Sequence, residues 1–262
     1  MAGAGVNARV VTPLHGARWL AAGWRMFRAA PLGWLVLVFA YLMATMLLSA
    51  FPLVGPAAVS LLVPAFSVGF MAASRAAAHR QAVDLPMLFA GFRERLPQQL
   101  VLGCVYSAGF AAALAGSALA DDGALLRVLF APARVQEEGG PGEDLLLGVL
   151  ASAALYLPTM MMLWFAPVLV AWHAVHPAKA LFYSLVAFWL NRLAFIAYVL
   201  TLGLVLFLAM GSVVLLAMLM PGETPAFNPR ALVFPMALVI LPTLFASYYA
   251  SYRDVFGPAA EA

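Results

Sequence analysis

The chain has 262 residues, of which 65% are hydrophobic and only 10% charged, with a formal net charge of +3. A water-soluble domain carries about a quarter charged residues, so this chain cannot cover its surface in water and must take lipid as its solvent. A lone cysteine, Cys104, rules out an internal disulfide and a Cys-based metal cluster, and basic residues scattered among the ends of apolar runs argue against a nucleic-acid-binding face.

In chain order, the first feature is the segment 13–30. Wound at 100° per residue, it places His15, Arg18, Arg25 and Arg28 within about 140° of arc, and Trp19, Leu20, Trp24, Met26 and Phe27 on the other side. Such a helix lies in the interface plane, with its guanidiniums near anionic headgroups and its aromatics among acyl chains. Arg18, Trp19, Trp24, Arg25 and Arg28 are therefore candidates for lipid contact. The same pattern would also suit a first helix packed under a bundle, and the two uses can coexist.

Uncharged runs follow at about 31–51, 56–74, 98–119, 146–172, 193–220 and 231–250. Each approaches the ~20 residues that cross a hydrocarbon core, and only helices satisfy their own backbone there in an open chain. The expected fold is all-α, a polytopic bundle of six transmembrane helices with interfacial helices. The first run begins behind an amphipathic segment and is long enough to span, so it is expected to stay in the mature protein.

Eleven basic residues fall on one side of this arrangement: Arg9, Arg18, Arg25, Arg28, Arg75, Arg80, Arg93, Arg95, Lys179, Arg192 and Arg253. Three, Arg127, Arg134 and Arg230, fall on the other, with Asp121, Asp122, Glu137, Glu138, Glu143, Asp144 and Glu223. The positive-inside rule then places both termini in the cytoplasm.

"GWRMFR" (23–28), "GFRERL" (91–96) and "AFWLNR" (187–192) each stand before an odd-numbered run. Proline pairs fall only in the even-numbered runs: Pro56 and Pro64, Pro158 and Pro167, Pro235 and Pro242. The matched depths suggest a threefold repeat of lead-in helix, straight span and return span, over 13–82, 83–174 and 175–254, with a short tail 255–262. Each interior proline orphans the carbonyl four residues earlier, so Pro64, Pro167 and Pro242 are candidate kinks around a cavity. The alternative is three bent helices packed solid. In the third lead-in segment Ala180, Ser184, Ala187 and Asn191 align at i, i+4, i+7 and i+11, a narrow seam for close packing in which Ser184 and Asn191 can bond across helices.

Little else points to chemistry. No ionisable residue falls near the middle of a run, which argues against ion-coupled transport. His173 and His176 share a helix face but have no third ligand at matching depth. Met160, Met161 and Met162 point about 100° apart and cannot converge on one ion. The acidic loop 120–145 lacks calcium-loop spacing, and no nucleophile elbow or phosphate-cradling glycine loop is present. No catalytic, cofactor-binding or metal-binding residue is expected, and the chain does not read as an enzyme.

The segments "GARWLAAGWRMFRAAP", "HPAKALFYSLVAFWLNRLAFI" and "YYASYRDVF" resemble an uncharacterised family of Gram-negative inner-membrane proteins, which is itself distantly similar to the membrane domain of some glycerophosphodiester phosphodiesterases. The resemblance implies an inner-membrane location and a multi-pass topology, and it carries over no catalytic residue. Two functions fit: a non-enzymatic accessory or organising component that contacts membrane lipids or a membrane-protein partner, and a passive or weakly coupled carrier of a small amphipathic or hydrophobic solute.

Overall fold

The structure is a computed structural model that describes residues 7–51, 54–131, 144–219 and 233–257. The predicted acidic stretch with Arg134, Glu137, Glu138 and Glu143, the loop with Glu223 and Arg230, and the last residues of the tail lie outside the described residues. Among those described, every regular element is helical.

Helix α1 (Leu14–Ala29) leads into α2 (Pro31–Ser49). The break falls at Ala30, whose φ of −147° and ψ of 61° are non-helical. A residue before proline is pushed out of the helical region, while Pro31 at the first turn of α2 needs no N–H. Helix α3 (Val54–Ala78) returns with Pro64 inside it. A 3₁₀ turn (Leu85–Phe89) and the four-residue α4 (Ala90–Arg93) then lead into α5 (Leu96–Asp121). Asp121 closes α5: its buried carboxylate accepts from the N–H groups of Gly123 and Leu125 at 2.9 and 2.8 Å, starting α6 (Ala124–Phe130). The second return is split into α7 (Leu145–Leu163) and α8 (Ala166–His173). The third group is α9 (Pro177–Leu190), α10 (Arg192–Leu219) and α11 (Val233–Phe256).

In chain order the described helices fall into the groups α1–α3, the 3₁₀ turn with α4–α8, and α9–α11. Five segments are long and apolar enough to cross a membrane: α2, α3, α5, α7 with α8, and α10 up to Leu215. The sixth predicted run begins outside the described residues and forms α11.

The protein core gathers at the arginine-rich end. There the first turns of α2 (Trp34, Leu37, Val38), the second half of α3 (Phe66, Phe70, Met71), the first five residues of α8, the start of α10 and the end of α11 bury one another. Phe70 of α3 stacks on Phe245 of α11 at 3.6 Å, with Tyr41 of α2 edge-on to both. Away from that end α10 parts from its neighbours. Leu204, Phe207, Leu208, Leu215 and Met218 on α10 are exposed, as side chains in contact with hydrocarbon would be. The chain is an integral membrane protein with an all-α polytopic bundle.

Candidate functional site

The best-defined site is built by α1. Gly16 lies against the backbone of Ala194 and Tyr198 on α10, and Gly23 against the backbone of Thr243 and Ser247 on α11. A Cβ at either glycine would collide with those backbones. Seven residues apart, the two glycines sit close to one face of the helix, so α1 is wedged between the two members of the third hairpin. Below the wedge, Tyr198 Oη and Ser247 Oγ join α10 to α11 at 2.7 Å.

Trp19 sits within this wedge at 1% exposure, with its ring 5.2 Å from Phe195. Its indole N–H donates to Asp254 Oδ2 at 3.0 Å. This corrects the expectation that Trp19 contacts lipid: a close backbone approach on both sides leaves it no route to the acyl chains. Leu20, Met26 and Phe27 are buried with it, so most of the apolar face of α1 meets protein. Arg18, Arg25 and Arg28 are exposed, and Trp24 is 42% exposed.

Above α1, the parted helices leave a cleft of about 360 Å³. Its walls include Ala21 and Trp24 of α1, Val205 and Leu206 of α10, and Val239 and Thr243 of α11. The two hydroxyls in the lining, of Thr201 and Thr243, donate to the carbonyls of Ala197 and Val239 in their own helices. Apart from the indole of half-exposed Trp24, the lining offers only apolar groups and hydroxyls already bonded within their own helices. Pro64, Pro167 and Pro242 are not among the residues that line it. The opening lies where α1 is wedged between α10 and α11. Pro167 is not inside a helix either; it occupies the first turn of α8.

The seam of the third lead-in helix is buried along its length, from Ala180 through Ser184 and Ala187 to Asn191. Ser184 Oγ accepts from the Phe165 N–H at 2.9 Å and donates to the Met161 carbonyl at 2.8 Å. Those two backbone groups would be bonded to each other in an unbroken helix, so the hydroxyl is inserted into the ladder at the α7–α8 break. Gln99 of α5 donates to the Pro167 carbonyl at 3.0 Å in the same region. The Asn191 amide clamps the N-terminal segment. Its oxygen accepts from the Val11 N–H at 2.8 Å, and its nitrogen donates to the carbonyls of Arg9 and Ala187 at 3.0 and 2.9 Å.

The remaining candidates are occupied locally. His173 Nε2 pairs with Tyr252 Oη at 2.6 Å, and His176 Nδ1 accepts from the Ala178 N–H. Met161 is buried while its neighbour Met160 is exposed. Cys104 is exposed on α5. Among the described residues no group of three His, Cys, Asp or Glu is placed to hold a metal ion.

No family model and no solved structure matches the chain. It is 41% identical, over 248 residues, to a probable inner membrane protein of Burkholderia thailandensis. The match covers 91% of this chain and 90% of the relative. The further likeness to phosphodiesterase membrane domains has no support in these matches. At that identity and coverage, the chain belongs to the family of that probable inner membrane protein.

Proposed function

We propose that this protein is a non-enzymatic component of the inner membrane that holds a lipid acyl chain in the cleft above α1. The observation that carries this reading is the wedge: α1 holds α10 and α11 apart and leaves between them an apolar space whose hydroxyls are bonded within their own helices. The solvent on that side is hydrocarbon, so an acyl chain fills the cleft through dispersion contacts and not through the hydrophobic effect. A carrier would need a passage between the two membrane faces, whereas this cleft belongs to one hairpin; the accessory reading is simpler. The Arg9 N–H donates to the Val255 carbonyl at 2.8 Å, so both described ends lie on the arginine-rich face, which we place in the cytoplasm.

The test is labelling with a phospholipid that carries a photoreactive acyl chain. Cross-links are expected to concentrate on peptides containing Trp24, Val205 and Val239, and to fall several-fold in Ala21→Phe, which fills the cleft from the exposed face of α1. Labelling spread evenly over the spans, and unchanged by the substitution, would remove the proposal.

A further inference from the structure

On another face of α1, roughly 140° round the helix from the cleft, Arg25 meets two arginines remote in sequence. Arg25, Arg80 at the end of α3 and Arg253 on α11 ring a second pocket of about 330 Å³, floored by Ala22, Ala77 and Ala78. The alanines leave the space between the guanidiniums open. The balance of charge is one-sided. Among the described residues Arg253–Asp254, at 3.3 Å, is the only ion pair, and the other oxygen of Asp254 is taken by Trp19. Of the three guanidiniums only that of Arg253 is paired with a carboxylate among the described residues, and no acidic residue lines the pocket.

Arg80 adds a second observation. The Gln81 N–H donates to the Ala76 carbonyl at 2.9 Å and the Arg80 N–H to that of Ala77 at 3.1 Å. This is the closing motif in which the left-handed position normally holds glycine. Here it holds Arg80 at φ 57°, a conformation in which a side chain is disfavoured. Glycine would serve the helix end better; arginine serves the pocket.

We propose that Arg25, Arg80 and Arg253 form a binding site for a phosphate group on the arginine-rich face. A planar guanidinium donates two parallel N–H groups to phosphate oxygens, and several around one anion give charge-assisted bonds of fixed geometry. The phosphate can belong to an anionic phospholipid headgroup or to a soluble compound. The site lies apart from the acyl-chain cleft and does not depend on that reading.

The experiment uses the full chain in nanodiscs. One arm adds inorganic phosphate to protein in phosphatidylcholine discs and reads binding by calorimetry. The other offers discs containing phosphatidylglycerol and reads lipid retention by native mass spectrometry. Binding in the first arm assigns a soluble phosphate compound, retention in the second assigns a headgroup, and a signal in either supports the site. Arg80→Gly is the decisive variant, because it should hold or raise the unfolding midpoint while weakening binding about tenfold or more. Arg25→Gln, on the exposed face of α1, should weaken it similarly. Wild-type protein that binds neither probe, or well-folded variants that bind as the wild type does, would overturn the proposal.

Discussion

The second and third hairpins are built from similar apolar runs and end in opposite states. Helices α5 and α7 lie against each other along their length, with Gly109 facing the Thr159 side chain, Gly116 facing Leu155 and Gly148 facing the Asp121 carboxylate. Helix α10 also carries two glycines, Gly203 and Gly211, yet among the described residues nothing lies within 4 Å of where their Cβ atoms would be. The glycines that matter to the third hairpin are on α1. In lipid no hydrophobic force draws two apolar helices together, so whichever surfaces allow the closest backbone approach decide the pairing. In the second hairpin the two helices pack on each other, glycine against side chain, while Gly103 brings α5 against the Leu61 backbone of α3. In the third, Gly16 and Gly23 give α1 the advantage.

The largest effect should come from taking that advantage away. Gly23→Leu places a side chain against the Thr243 carbonyl and the Ser247 N–H, backbone atoms that cannot rotate aside. Overpacking of this kind costs about 1–3 kcal/mol or more. The variant is expected to lower the unfolding midpoint in detergent clearly and to expose the segment before Pro31 to protease. Gly203→Leu is the matching control in α10 and should leave both readings unchanged. If the two substitutions behave alike, the wedge does not hold the third hairpin open.

How much of this could be read in the sequence depended on what each signal leaves ambiguous. Uncharged runs of about 20 residues have one physical meaning, and five of them appear as helices able to cross a membrane. The seam at Ala180, Ser184, Ala187 and Asn191 was legible because small and polar residues at that spacing have little reason to face lipid. Helix α1 was not fully legible. An apolar face looks the same whether it meets acyl chains or other helices, and only the spacing of Gly16 and Gly23 hinted at a backbone approach. Pro64 and Pro242 lie inside helices as expected, but Pro167 misled, because it reads identically in a helix interior and in a first turn. Arg25, Arg80 and Arg253 served as topology signals, and their meeting depends on tertiary structure that no local pattern encodes.

A smaller effect sharpens the comparison from the side of the second hairpin, whose return is broken where α7 meets α8. Ser184→Ala removes the hydroxyl that stands between the Phe165 N–H and the Met161 carbonyl. The two groups are natural helical partners, so the break would heal at little cost if the backbone were free to close. The ring of Pro167 opposes closure, because it crowds the carbonyl of Leu163, four residues earlier. The expected result is therefore two buried, unpaired backbone groups, a cost of about 1–3 kcal/mol, and a midpoint a few degrees lower. In a Pro167→Ala background, where residue 167 regains an N–H and loses its ring, the ladder can close and the same substitution should cost much less. Unfolding midpoints across the four proteins of this double-mutant cycle measure the coupling directly. Additive costs would mean that the serine holds α9 to the return helix without regard to the proline, and that the break has another cause.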